Sequence, residues 1–174
     1  MSQDKSISFT SEAEFLVNAQ ALEQELAERY QEMADSMQVH NNLEVAGLFR
    51  KLGNYSETHA GELIHSANGL DLPQVPPWEY QWLTLDGPEN CMQHTNYLMT
   101  PSQALQLAMR IERCAYDFYS QTAEETSDSN IRKLAVDMLT SKQKHLEQVS
   151  EWLLKASEQQ PKTPEDLDPP HMPE

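Results

Sequence analysis

Four ionisable residues occupy positions that helical periodicity assigns to the protein core. They are Glu23, His59, Glu112 and His145. At about 100° per residue, each of them lies within about 40° of several apolar residues on its own predicted helix. The pattern therefore predicts that each of four helices directs one carboxyl or imidazole group towards the interior.

Two kinds of chemistry would explain ionisable groups in a core. Burying an ionised carboxylate costs several kcal/mol, so Glu23 and Glu112 require compensation. One divalent metal ion bound by two carboxylates and two neutral imidazoles would neutralise both charges, and this ligand set suits Fe(II), Zn(II) or Mn(II). The alternative is an internal Glu–His hydrogen-bonded network without a metal. Four inward-facing groups, one on each helix, favour the metal site.

The elements that carry these residues are predicted to be four long amphipathic helices. Their approximate ranges are 11–37, 43–68, 100–125 and 130–157. The first opens with Ser11-Glu12-Ala13-Glu14 and the third with Thr100-Pro101-Ser102-Gln103, both of which fit a capping box. No run of alternating β-branched residues competes with these helices, so the predicted fold class is all-α.

The connections between the helices predict the topology. Short joins pair the helices into two antiparallel hairpins, whereas the 31 residues of 69–99 are long enough to run the length of the bundle. Two hairpins joined by one long crossover form the ferritin-like arrangement. We expect one four-helix domain over residues 1–160 and a disordered, acidic, Pro-rich tail over 161–174. The crossover residues expected to pack as a strap are Trp78, Tyr80, Trp82, Leu83 and Leu85.

Composition narrows the expected partners and location. The chain has 174 residues and a formal net charge of −16, without a basic stripe, which argues against nucleic-acid and anionic membrane partners. No apolar run approaches 18 residues, and the first residues lack the layout of a signal peptide, so a cytoplasmic location is expected. The two cysteines, Cys91 and Cys114, are expected to be reduced thiols.

The first two helices recur as the last two. The matched residues are Glu23 and Glu112, Tyr30 and Tyr119, and His59 and His145. The repeat has the motif Ala-x3-Glu-x6-Tyr-x3-Ala over 19–34 and 108–123, with Phe49-x9-His59-Ala60 and Lys142-x2-His145-Leu146 on the other two helices. Over about residues 11–157, apart from the crossover, the sequence resembles the rubrerythrin branch of the ferritin-like superfamily.

The resemblance implies a metal site with two altered ligands. In that family the first and third helices each give a Glu, and the second and fourth each give a Glu-x-x-His, to two irons. The residues that match four of these six ligands are Glu23, His59, Glu112 and His145. Ser56 and Lys142 stand where the two bridging Glu residues would be, so a normal di-iron centre is not expected. Glu62 lies about 60° to the other side of His59, at the edge of the stripe, and is not expected to replace them.

Lys142 and two tyrosines complete the candidate site. Lys142 falls inside the apolar stripe, so either its long stem lets the ammonium reach solvent or the ammonium donates to Glu23 and Glu112. Tyr30 and Tyr119 follow the two Glu residues by two turns on the same faces. The resemblance implies that they hydrogen-bond the ligand carboxylates, whereas the simpler interpretation makes them core aromatics with satisfied hydroxyls.

Two functions are predicted on these grounds. The first is a rubrerythrin-like metal-binding protein with one divalent transition metal, expected to be iron, with zinc or manganese as alternatives, and a role in peroxide or dioxygen reduction by analogy with the family. The resemblance implies a homodimer, because dimers are common among proteins of this kind. It also implies that electrons come from a partner protein, because rubrerythrins carry a four-cysteine rubredoxin module that two cysteines cannot build. The second is a metal-free helical scaffold or interaction module in which a Glu–His–Lys network replaces the metal.

Overall fold

Four helices make up most of the chain in a computed structural model that describes residues 6–83 and 100–159. They are α1 (Glu12–Val39), α2 (Leu43–Ser66), α3 (Pro101–Glu125) and α4 (Ser129–Gln159). Two short 3-10 helices, Pro77–Glu79 and Gln81–Leu83, lie in the described part of the crossover. The all-α prediction is confirmed, and each predicted helix is within two residues of its observed bounds.

Local capping explains where two of the helices begin. At the start of α3, the Thr100 hydroxyl accepts from the Gln103 N–H and the Gln103 side chain accepts from the Thr100 N–H, which completes the predicted capping box. At the start of α1, Ser11 accepts from the Glu14 N–H, but the Glu14 carboxylate turns to Thr10 instead of closing the box. The predicted box is therefore only half formed at α1.

The helices pack as two antiparallel hairpins, α1 with α2 and α3 with α4. At one end, the α1–α2 turn lines a common cavity with the start of α3 and the end of α4. At the other end, Asn130 near the start of α4 donates to Glu12 near the start of α1, at 3.4 Å. The connection from α2 to α3 must therefore travel the length of the bundle, as the long crossover predicted.

The first part of the crossover is held against α1. The Gln81 N–H donates to the buried Asn18 side chain at 2.8 Å, and Trp82 is 6% exposed within the core. Tyr80 stacks on Trp82 and packs beside it. Trp78 is 78% exposed, so the strap prediction is wrong for this residue. The crossover is attached to α1 further along the chain, through the Gln81 hydrogen bond and the buried Trp82 ring.

Several predictions fall beyond the described part of the chain. The tail 161–174, the second half of the crossover with Leu85, and Cys91 all lie outside the described residues.

Cys114 is disulfide-bonded, so the prediction of a reduced thiol is wrong for this residue. The spacing of cysteines in a sequence does not reveal whether they come within bonding distance. Among the described helices, none is long and apolar enough to cross a membrane.

Candidate functional site

Two carboxylates and one ammonium meet in the centre of the bundle. Glu23 on α1, Glu112 on α3 and Lys142 on α4 have no exposed surface. The Lys142 Nζ donates to Glu23 Oε2 at 2.9 Å and lies 3.8 Å from Glu112 Oε2. Of the two interpretations of Lys142, the buried donor is therefore the correct one, and the lysine does not reach solvent.

Each carboxylate also accepts a hydrogen bond from a tyrosine of the other hairpin. The Tyr30 hydroxyl donates to Glu112 Oε1 at 2.8 Å, and the Tyr119 hydroxyl donates to Glu23 Oε1 at 2.9 Å. Burial and the facing carboxylates raise the pKa of both phenols well above 10, which keeps them protonated as donors. The internal repeat thus produces a reciprocal pair of bonds that links the two hairpins.

The two histidines close one side of this cluster. His59 Nδ1 lies 3.8 Å from Glu23 Oε2, and His145 Nδ1 lies 3.4 Å from Glu112 Oε2. Both contacts fall outside regular hydrogen-bond geometry, so neither Nδ1 atom has a hydrogen-bond partner within residues 6–83 and 100–159. The two rings stack with their centroids 5.8 Å apart. The four residues that periodicity singled out therefore do come together.

Tyr55 is a site residue that the sequence analysis did not identify. Its ring stacks on His145, with centroids 5.1 Å apart and planes 16° from parallel. The Tyr55 side chain is 38% exposed, whereas the His145 side chain on which it stacks is buried. Its position four residues before His59, on the same face of α2, is the sequence signal that could have indicated it.

The charges of the cluster stabilise one another. Burial raises the pKa of Glu23, but Lys142 and His59 outweigh this effect and lower it to about 2. Burial likewise raises the pKa of Glu112, while Lys142 and His145 bring it below the ordinary value. Burial lowers the pKa of Lys142, and the two carboxylates raise it above 10.5. At neutral pH the cluster therefore contains two carboxylates and one ammonium.

The internal repeat is broken at the residues three positions before each histidine. Lys142 reaches the carboxylates from α4, whereas the corresponding Ser56 on α2 is too short to do so, and its buried Oγ has no hydrogen-bond partner in the described part of the chain. Glu23 is hydrogen-bonded through both oxygens, but no described residue hydrogen-bonds to Glu112 Oε2. Glu62 is exposed on the surface and, as expected, supplies no replacement carboxylate.

The donor set does not fit a pair of irons. Two divalent ions about 3.5–4 Å apart need bridging anions to screen their repulsion, but a serine and a lysine occupy the bridging positions. A single metal bound to both Glu23 and Glu112 would need the space that the Lys142 ammonium takes between them. Within residues 6–83 and 100–159, no group of three or more His, Cys, Asp or Glu side chains is arranged to hold a metal ion.

The lowered pKa of Glu23 predicts acid sensitivity. A carboxyl whose pKa falls on folding stabilises the protein above its unfolded-state pKa near 4.5, and this stabilisation is lost as the pH drops towards about 2. We expect Glu23→Gln to lower the free energy of unfolding at pH 7, and the difference from wild type to shrink between about pH 4.5 and 2. Urea unfolding at several pH values measures this difference. A constant difference across that range, or the same behaviour for the exposed Glu57→Gln control, would contradict the assignment.

Comparisons with known proteins agree with this architecture. The family model described as Rubrerythrin matches residues 14–153. Among solved structures, the chain is similar to an uncharacterized conserved protein from Magnetospirillum magnetotacticum MS-1, with 35% identity and a TM-score of 0.69. The match covers 82% of this chain and 93% of that one. No curated protein matches the chain.

Proposed function

We propose that this chain, which belongs to the rubrerythrin family, works as a metal-independent helical binding module. In this proposal, the ammonium of Lys142 supplies the positive charge that a metal would supply to the two buried carboxylates. The bundle then keeps the charged core of the family without the metal, and its work is done by its outer surface.

One observation carries the proposal. The Lys142 Nζ is fully buried and lies 2.9 and 3.8 Å from carboxylate oxygens of Glu23 and Glu112. A buried ammonium in such a place is stable only when anions face it, and here both anions come from the opposite members of the repeat. The Lys142 ammonium therefore compensates much of the negative charge of the two buried carboxylates.

A second candidate function is a single-metal protein of the oxidoreductase type that was predicted from the resemblance. Its ligands would be Glu23, His59, Glu112 and His145. The observation in its favour is that three of these residues have a buried polar atom without a hydrogen-bond partner among the described residues: His59 Nδ1, His145 Nδ1 and Glu112 Oε2. A bound divalent metal would act as a Lewis acid or redox centre. For both carboxylates to reach that metal, Lys142 would have to leave its present position.

Metal analysis of the full chain separates these candidates. For protein purified without chelators, we expect well under one equivalent of iron, zinc or manganese by elemental analysis. We also expect no rise in melting temperature when Fe(II) (anaerobically), Zn(II) or Mn(II) is added, because a ligand that does not bind the native state cannot stabilise it.

Specific binding of one metal ion would contradict the metal-independent proposal. One equivalent of metal that raises the melting temperature, and that is lost in both His59→Ala and His145→Ala, would overturn the metal-independent proposal in favour of the single-metal one. His65→Ala is the matched control, because His65 is an exposed histidine on α2. Loss of metal in this control as well would indicate a surface site that uses His65, and would leave the metal-independent proposal for the core standing.

A further inference from the structure

A groove with aromatic and acidic walls lies between α1 and the first part of the crossover. Its volume is about 590 Å³, within the range of ligand-binding clefts in proteins. Trp78, Tyr80 and Trp82 supply aromatic surface from the crossover. Glu25 and Glu28 supply carboxylates from α1. Both walls belong to described parts of the chain, and none of the residues that line the groove belongs to the buried ion cluster.

The crossover side of the groove is held in place by contacts with the core and with α1. The Trp82 side chain is only 6% exposed, and its ring stacks on Tyr80 with centroids 5.5 Å apart. The N–H of Gln81 is anchored to Asn18 of α1. The buried Trp82 indole N–H has no hydrogen-bond partner among the described residues.

Trp78 has the opposite environment. Its side chain is 78% exposed, although tryptophan is one of the residues most enriched at the centres of binding interfaces. It follows Pro76 and Pro77 and is the second residue of the short 3-10 helix Pro77–Glu79, which restricts the backbone at this position. A large aromatic surface is therefore displayed to solvent at a defined position beside the groove.

The charge on the α1 side selects the type of ligand. Glu25 is paired with Arg29 at 3.0 Å, whereas the exposed Glu28 makes no ion pair with any described residue. The whole chain has a formal net charge of −16, so anionic ligands are repelled and cationic ones are attracted. Aromatic faces beside a carboxylate bind a cation through the ring quadrupole as well as through the opposite charge.

We propose that this groove binds a lysine or arginine side chain presented by an extended basic segment of a partner protein. The long stem of such a side chain would pack between Trp78 and Tyr80, and its charged end would face Glu28. The inference rests on the proposed function in one respect, since it names the class of partner for the binding module. It does not depend on the state of the ion cluster.

A peptide titration tests the groove directly. The probe is a fluorescein-labelled octapeptide of alternating lysine and glycine, and binding to the full chain is followed by fluorescence polarisation. We expect binding that weakens with added salt, and that weakens at least about fivefold in Trp78→Ala and in Glu28→Gln, as expected for a cation–π contact and a charge contact. Both side chains are exposed, so neither variant should affect folding.

Matched controls separate this site from general attraction to an acidic protein. Glu57→Gln removes the same charge from an exposed position on α2 and should bind the lysine peptide like wild type. An alternating serine–glycine peptide should not bind. Equal binding by wild type, Trp78→Ala and Glu28→Gln would overturn the proposal, as would equal binding of the serine peptide. Self-association of the chain that Trp78→Ala abolishes would overturn it in favour of a second copy as the occupant.

The two proposals fail separately. Metal analysis reports on Lys142 in the core, whereas peptide binding reports on Trp78 at the surface. A chain that binds one metal and also binds the lysine peptide through Trp78 would refute the first proposal and support the second. A chain without metal that does not bind the peptide would support the first proposal and refute the second.

Discussion

Lys142→Met is expected to lower the free energy of unfolding by about 3–5 kcal/mol at pH 7, the cost of removing one partner from a buried ion pair. Methionine keeps most of the volume of the side chain but leaves Glu23 and Glu112 facing each other without a cation. Urea unfolding followed by circular dichroism measures the loss. The loss should become smaller at acid pH, because protonation of the carboxylates removes the uncompensated charge.

Two further variants show whether the charge is the cause. Lys144→Met removes an exposed lysine from the same helix and should change stability by no more than about 0.5 kcal/mol. Adding Glu23→Gln to Lys142→Met should restore part of the lost stability, because the double variant buries one carboxylate fewer while an amide oxygen still faces Tyr119. A Lys142→Met protein as stable as wild type would contradict the role of Lys142 in balancing these charges.

Helical periodicity was sufficient to predict the fold and the residues that meet in its centre. The patterns are long and regular, so the four helices were predicted within two residues of their observed bounds. Glu23 and Glu112 could be predicted because each lies at the centre of an apolar stripe, where the side chain faces the core and cannot reach solvent. Both are fully buried in the structure. The repeat then indicated that the two halves would place these residues opposite each other.

Periodicity could not decide what the inward-facing groups contact. Lys142 lies inside the stripe, but a four-carbon stem allows its ammonium either to reach solvent or to turn inward. The position of its backbone is nearly the same in both cases. The difference is made by carboxylates from two other helices, at 2.9 and 3.8 Å, and such contacts between distant segments are absent from the pattern of any single helix.

The surface features were missed for a related reason. Trp78 and Trp82 lie in one short segment with no regular period, so their sequence does not show that one is buried and the other exposed. The difference is made by Asn18, a polar residue on the buried side of α1 that accepts from the Gln81 N–H. A buried asparagine on an otherwise apolar face is the sequence signal that could have indicated where the crossover docks.

Restoring the two bridging carboxylates should restore a two-metal site. The double variant Ser56→Glu with Lys142→Glu would give both α2 and α4 the Glu-x-x-His motif that carboxylate-bridged di-iron proteins use. Without metal, four buried carboxylates would face one another with no cation, so we expect the variant to be largely unfolded. Addition of Fe(II) without oxygen, or of Mn(II), should restore helical circular dichroism, with about two metal ions bound per chain by elemental analysis.

The matched control is Ser56→Gln with Lys142→Gln, which has nearly the same shape at both positions but adds no negative charge. It should bind no more metal than wild type, and metal should not change its helical content. The comparison tests the alignment of α2 with α4 as well as the charges, because carboxylates that did not face the same space could not share two ions. If saturating metal neither refolds the carboxylate variant nor binds to it above the level of the control, positions 56 and 142 are not the missing bridging positions.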